Sequence, residues 1–311
     1  MRSIITIVGL SLVLGLASIV ACNDGGNPDI IINRDPDTSG GGGTPGTGED
    51  PGKQAGVCYP AFEDDELNVV TWNIENFPLS STTQQKARAI IEDMDADIIA
   101  VQEIDEPAEF LALGNSLQEW DAYYHDVNLG LELGYLVKRN SFTSVGTTSK
   151  LFTGNTSAFP REAVRIDVTH TSGLEVIFLN IHLKCCGEQG SSDFNRRVAA
   201  SEALQAYIDQ NLSDKAVIVL GDWNDDLQET NSAFENFKNA PANYQFADMS
   251  IALGSTSNFS YPSWPSHLDH ILITNELFDK LGDVMTIKPE SCVSGYSSSV
   301  SDHRPVLASF K

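Results

Sequence analysis

Basic residues are scarce in this sequence. Its 311 residues carry 19 Lys plus Arg against 43 Asp plus Glu, a formal charge of −24. So acidic a chain is repelled at long range by phosphate backbones and anionic membranes. That excludes broad, unassisted adhesion to either, while leaving room for a local basic strip beside a site. Cysteine is also sparse. The five cysteines, at positions 22, 58, 185, 186 and 292, are too few for a disulfide scaffold and have no zinc-like spacing. No internal repeat is visible, which excludes a solenoid. What the chain does have is 41% hydrophobic residues, ample for a packed core, so it is not wholly disordered. The length accommodates one large α/β domain or two ordinary ones.

One long apolar run stands apart. Arg2 is followed by Ile4 to Ala21 without a charge, and the run ends Ile19-Val20-Ala21-Cys22. A basic start, an apolar core and a small terminal residue are the pattern of an export signal. The ending resembles the lipobox of bacterial lipoproteins, which implies a signal peptide over residues 1–21 and lipidation of Cys22. An uncleaved anchor helix, or an ordinary signal cut near Ala21, are the alternatives. Residues 22–56 follow as the lipidated Cys and a Gly- and Asp-rich tether. Gly40 to Gly43, Pro45, Gly46 and Gly48 lie among Asp, Asn and Thr there. Such a composition buries no core, and as a flexible coil it spans about 32 Å. With the charges of residues 1–56 set aside, residues 57–311 retain −21, so the acidity belongs to the folded domain. Export would put Cys58, Cys185, Cys186 and Cys292 in an oxidising compartment, where disulfides persist. Adjacent Cys185 and Cys186 are expected to reach different partners, because a vicinal bridge is strained.

Residues 57–311 read as a single mixed α/β domain. Short Val- and Ile-rich runs at Leu67–Trp72, Asp97–Val101, Leu174–Ile181, Ala216–Leu220 and Leu268–Ile273 have the character of buried strands. Gln84–Met94 places Ala87, Ile90, Ile91 and Met94 on one helical face, with Thr82 or Thr83 as N-cap. Phe194–Ile208 gives a second helix with Phe194, Val198, Leu204 and Ile208 on one side. Packed sheets covered by helices account for this order of elements.

Polar residues collect at the ends of these runs. Asn73, Glu103, Asn180 with His182, and Asp222 with Asn224 each follow a strand; Asp269 and His270 sit within one, and Asp302-His303 precede another. Strand ends opening at a common sheet edge are how α/β enzymes assemble sites. Any one of these residues alone would read as a strand-end cap or a solvated turn; six such endings together are hard to explain so.

In this order, Thr71-Trp72-Asn73-Ile74-Glu75-Asn76, Gln102-Glu103, Asn180-Ile181-His182-Leu183, Gly221-Asp222-Trp223-Asn224-Asp225, Leu268-Asp269-His270-Ile271 and Ser301-Asp302-His303-Arg304-Pro305 resemble the signature blocks of the endonuclease/exonuclease/phosphatase (DNase I-like) family. The blocks span nearly all of residues 66–311. The resemblance implies a four-layer α/β/β/α sandwich and metal-dependent hydrolysis of a phosphoester. Hard divalent cations take oxygen ligands, which makes Glu103 the main metal carboxylate, assisted by Asn73 and Asp302. Mg²⁺ is the expected ion, with Mn²⁺ or Ca²⁺ as alternatives. By the same resemblance Asp269 supports His303 as a base or phosphate contact. Asp222 and Asn224 orient the attacking water and the phosphate, and His182 donates to the phosphate with Asn180 nearby. Arg161 resembles a phosphate-contacting Arg; its alternative is a surface pair with Glu162. Arg196 and Arg197 read as a solvated helix face, and Trp72, Trp223 and Trp264 as core.

Function follows as an expectation: an exported, membrane-tethered phosphodiesterase, a nuclease acting on DNA or RNA. Its rivals are a phospholipid headgroup phosphodiesterase, a phosphatase of small phosphorylated molecules, and a catalytically inactive binding module. No exposed aromatic hairpin is evident, which weighs against the lipid substrate. His270 stands where similar nucleases carry Tyr, which leaves substrate preference open. Nucleic acid as substrate and the membrane through the Cys22 lipid are the implied partners; no protein partner is.

Overall fold

The computed structural model describes Tyr59, residues 66–94 and residues 96–311. The leader, Cys22, the tether and Cys58 lie outside the described residues. In chain order the strands are β1 (Leu67–Phe77), β2 (Ile98–Ile104), β3 (Trp120–His125), β4 (Glu132–Lys138), β5 (Phe142–Val145), β6 (Ser149–Leu151) and β7 (Ala163–His170). They continue with β8 (Glu175–His182), β9 (Val217–Asp222), β10 (Tyr244–Phe246), β11 (Asp269–Thr274), β12 (Leu281–Thr286) and β13 (Val306–Phe310). The longer helices are α1 (Thr83–Met94), α2 (Pro107–Ser116) and α3 (Ser192–Asn211).

Two mixed sheets form. One has the order β12-β13-β1-β2-β4-β3; the other is β10-β11-β9-β8-β7-β5, with β6 also on β7. Successive side chains on a strand point to opposite faces, and here both faces of each sheet are covered. Leu67, Val69, Ile98 and Ala100 of the first sheet meet Ile166, Phe178, Ile218, Leu220 and Ile271 of the second in one buried cluster. The alternate residues Val70, Trp72, Ile99 and Val101 turn to Ile90, Ile91 and Met94 of α1 and to Phe110 and Leu113 of α2. On the other side Leu179, Ile181, Val217 and Val219 turn to Phe194, Leu204 and Ile208 of α3. Three apolar interfaces between four layers are the expected α/β/β/α sandwich. They also explain why the central strands read as continuous apolar runs rather than alternating ones.

Helix α3 is longer than its apolar spacing suggested. It starts at a cap in which Ser191 Oγ accepts the Phe194 N–H at 3.1 Å. Its buried side includes Arg197, which is 2% exposed, so the solvated face expected there is corrected for that residue. Leu204 has no exposed surface, and its truncation to Ala would cost about 2–5 kcal/mol. Cysteine usage differs from expectation too. Cys292 is disulfide-bonded, whereas Cys185 and Cys186 are free thiols.

Candidate active site

Sheet register brings the motif residues to one edge. Strands β1 and β2 run parallel with Asn73 opposite Gln102, and β8 and β9 run parallel with His182 opposite Asp222. Strand β11 runs antiparallel to β9, so its first residue, Asp269, faces the last residue of β9, Asp222. Gly221 permits this convergence: its φ is 150°, and a Cβ there would lie 1.9 Å from the Ile181 carbonyl oxygen. The loop before β13 is pinned by Ser301, whose hydroxyl donates to the Asn73 carbonyl at 2.6 Å and accepts the His303 N–H at 2.9 Å.

Asp222 is the centre. It is 2% exposed, and its Oδ2 accepts Asn73 Nδ2 at 3.0 Å. The same oxygen lies 3.6 Å from His182 Nε2 and 3.9 Å from His303 Nε2. Asn73 Nδ2 also reaches Glu103 Oε1 at 3.1 Å, and His182 Nε2 is 3.8 Å from that oxygen. His303 Nδ1 is 2.7 Å from Asp269 Oδ2, and its Nε2 is 4.0 Å from Asp302. Asn224 adopts a left-handed backbone, φ 56°. Its amide donates to the Leu183 carbonyl at 3.1 Å and its N–H to Asp222 Oδ1 at 2.9 Å, fixing the turn.

The electrostatics are crowded. Burial pushes the Asp222 carboxyl up to about 7; the His303 cation opposes this, while Asp269 and Glu103 add to it. Burial opposes a charge on His303, but Asp269, followed by Asp222 and Asp302, overcomes it and holds the ring at about 10. That corrects a neutral-base role: the ring is an imidazolium at neutral pH. His182 is driven the other way, well below its ordinary value, by burial and then by the Arg161 guanidinium and His303. Two buried atoms here have no hydrogen-bond partner, His182 Nδ1 and Asp269 Oδ1. Since buried polar atoms are normally satisfied, both are open to a ligand.

Sequence reasoning missed Glu75 and Tyr261. Glu75 Oε2 accepts the Asp302 N–H at 2.8 Å, and burial, then Asp302, pushes its carboxyl up to about 7. It reaches the site because the β1–β2 register breaks between Asn73 and Phe77, where Glu75 and Asn76 take positive φ. The ring of Tyr261 lies 5.0 Å from that of His303, and no motif flagged it.

Several expectations need correction. Asn180 is fully buried between the sheets; its Nδ2 donates to the Val101 and Gly134 carbonyls at 2.9 Å each, and its Oδ1 accepts Gln102 at 2.8 Å. It bolts the sheets together and is not a phosphate contact. His270 is also fully buried, on the opposite side of β11 from Asp269, so it cannot read substrate. Glu162 accepts the Asn128 N–H at 2.6 Å and pairs with Lys150 at 3.6 Å. Arg161 acts electrostatically on His182. Trp72 and Trp223 are core, donating to Tyr296 and to the His270 carbonyl, but Trp264 is 78% exposed. It sits on a hairpin closed by the Tyr261–Ser266 bridge, so an exposed aromatic hairpin does border the site.

Residues 70–303 match the Endonuclease/Exonuclease/phosphatase family. No curated protein matches. Among solved structures, TDP2 from D. rerio complexed with single strand DNA product superposes with TM-score 0.61 at 16% identity, covering 80% of this chain and 100% of that one. The 3′ phosphatase NExo from Neisseria bound to a product DNA hairpin gives TM-score 0.59 at 17% identity, covering 79% and 99%. An AP endonuclease from Archaeoglobus fulgidus gives 0.57 at 14%, covering 79% and 99%. At these identities the likeness establishes the fold.

Proposed function

The chain belongs to the endonuclease/exonuclease/phosphatase family of phosphoester hydrolases, and from that premise we propose that it is a divalent-cation-dependent phosphodiesterase acting on nucleic acid. The observation that carries this reading is the convergence of Glu75, Glu103, Asp222, Asp269 and Asp302 on two imidazoles of opposite character. Glu75 and Asp222 both resist ionisation, first because they are buried and then because other carboxylates crowd them, and a cation offsets both. The donor set fits: Glu103 with His182 and Asp222, or Asp222 with Asp269 and His303, bring ligand atoms within 4.8 Å of one another. Hard oxygen donors suit Mg²⁺; Glu103 is the principal ligand, with Asp302 and Asn73 at hand. A bound Mg²⁺ supplies charge to the phosphoryl oxygens and acidifies water.

This chain's own residues do the rest. Ionised Asp222, held by Asn73, orients the attacking water and takes up its proton. His303, kept cationic by Asp269, donates to a phosphoryl oxygen where negative charge develops. Neutral His182 offers a further hydrogen bond, and Arg161 adds positive charge beside it.

Nucleic acid is favoured over small phosphoesters by the exposed face of Trp264, because base–aromatic stacking contributes about 1–3 kcal/mol per base. Two of the structural relatives hold DNA, in line with this choice. The same hairpin supports a second reading, a lipid headgroup phosphodiesterase, in which Trp264 enters the interface. Plasmid DNA and RNA, set against sphingomyelin micelles and inositol phosphates with Mg²⁺ present, separate the two. Lipid turnover with intact plasmid would overturn the nuclease reading.

The leader and lipobox support export and anchoring through a lipid on Cys22. No helix of the described residues is long and apolar enough to cross a membrane. Mass spectrometry of mature protein should find a diacylated Cys22. Cys22→Ser protein that is still processed and membrane-bound would contradict this.

A further inference from the structure

Leaving β8, the chain reads His182-Leu183-Lys184-Cys185-Cys186-Gly187. Cys186 is exposed and Cys185 half-buried, and both, adjacent in the chain, are free thiols. Cys292 is already in a disulfide, so among the described residues neither thiol has a third cysteine to pair with. Lys184 Nζ lies 3.5 Å from Cys185 Sγ.

This segment is clasped to the catalytic loop. The buried guanidinium of Arg197 donates to the carbonyls of Lys184 at 3.0 Å, Cys186 at 2.6 Å and Gly187 at 2.9 Å. Its Nε donates to Asp225 Oδ2 at 3.1 Å, three residues beyond Asp222. Cys186 is held at φ 67°, a conformation that side-chain-bearing residues adopt only when their surroundings impose it. The thiol pair thus follows His182 by three and four residues and is tied through Arg197 to the loop that follows Asp222.

We propose that Cys185 and Cys186 form a reversible dithiol–disulfide couple, closed by exchange with small-molecule disulfides, and that closure displaces the Asp222–Asp226 loop through Arg197. One protein thiolate attacks the small disulfide, forming a mixed disulfide and releasing one small thiol. The neighbouring sulfur, its proton lost to solvent, then attacks the protein sulfur of the mixed disulfide. That step expels a second small thiol, so two protein thiols are oxidised as one small disulfide is reduced. Adjacent Cα atoms are about 3.8 Å apart across a trans peptide, closer than the roughly 4.4–6.8 Å of ordinary bridges. The ring is strained, and strained exposed disulfides are the readily reduced, regulatory kind. Closing it must turn ψ of Cys185 and φ of Cys186; the carbonyl of the peptide between them accepts Lys184 Nζ at 3.2 Å, and the carbonyls on either side, of Lys184 and Cys186, are ones Arg197 holds.

The test treats the full chain with oxidised glutathione. The tryptic peptide Cys185–Arg196 should become two hydrogens lighter and revert with dithiothreitol, whereas Cys186→Ser protein should show no such loss. Hydrogen exchange in Asp222–Asp226 should accelerate in the oxidised protein by about tenfold or more, as expected when a local opening becomes easier by about 1.4 kcal/mol, while α1 stays unchanged. A peptide that stays reduced, or that carries two glutathione adducts, would overturn the couple. Loss of two hydrogens with exchange unchanged would overturn its link to the catalytic loop. Neither readout needs a substrate, so this inference can fail while the hydrolase reading stands, and the converse.

Discussion

Two clusters in this molecule use the same residue types and have opposite physics. At the cleft, Asp222, Asp269, His182 and His303 leave Asp269 Oδ1 and His182 Nδ1 without partners, and Asp222 resists ionisation. Behind it, Asp248, His267 and His270 are all fully buried. There, Asp248 Oδ2 pairs with His267 Nε2 at 3.0 Å and His270 Nδ1 at 2.6 Å, and Oδ1 accepts the Ile271 N–H at 2.9 Å. His267 Nδ1 accepts the Ser260 N–H at 3.3 Å, and His270 Nε2 faces the Asp225 carbonyl at 2.9 Å. Burial opposes ionisation of Asp248, yet the His270 cation and both imidazole hydrogen bonds overcome it and hold the carboxyl below its ordinary range. Both groups are compact enough to hold a metal. What separates them is satisfaction: a structural knot closes its hydrogen bonds on itself, and a reactive site leaves them open for a ligand.

Substitutions should therefore divide stability from activity. The largest effect is expected at the knot. Asp248→Ala removes the buried partner of His267, His270 and the Ile271 N–H, so unfolding in urea should show a loss of about 3–5 kcal/mol. In the cleft the balance inverts. Asp222→Asn should cut phosphodiester hydrolysis by at least about 100-fold. Yet its stability at pH 8 in EDTA should match or exceed that of the parent, because a carboxyl whose folded pKa is raised costs stability once ionised. Glu103→Gln should lose activity similarly, with only partial rescue by added cation. Equal losses of stability from both clusters would break the comparison.

Trp264→Ala should have a smaller effect. It removes a surface group, so stability should stay within about 0.5 kcal/mol. If bases stack on the indole, KM for single-stranded DNA should rise by roughly 5- to 150-fold with kcat little changed. A matching loss on sphingomyelin micelles alone would select the lipid reading.

The fold was legible in the sequence because buried strands announce themselves as apolar runs and each ends in a polar residue. Asp222, Asp269, His303, His182 and Glu103 could be found for that reason. What could not be read was direction. Asn180 and His182 lie two residues apart on one strand, so both face the same way; Asn180 nevertheless lies deeper, where its amide bridges the sheets. His270 differs from Asp269 by one residue and so lands on the opposite face. Arg197 looked like one more polar residue on a helix surface, because its acceptors are backbone carbonyls of the segment before the helix and the side chain of Asp225. Glu75 depends on a register break in β1 that no local pattern encodes.

The smallest expected effect is also the sharpest test of the crowded site. Asp222 must be ionised to take a proton from water, and its carboxyl sits near 7, so the rate should rise with pH through that region. His303 holds its proton to about 10, so the upper limb should come only there, as the cation that contacts the phosphate is lost. A divalent cation binds the ionised form and competes with the proton for the same carboxylates. Raising Mg²⁺ from below to above its dissociation constant should therefore move the lower limb to more acidic pH, by at most about one unit for each tenfold increase. The upper limb should stay in place, because the Asp269 carboxylate holds the proton on His303 and the cation competes for the carboxylates around Asp222 instead. Rate profiles from pH 5 to about 11 at three Mg²⁺ concentrations measure both limbs. A lower limb indifferent to Mg²⁺ would mean that the cation does not share Asp222's surroundings, and Glu103 with its neighbours would then have to hold it alone.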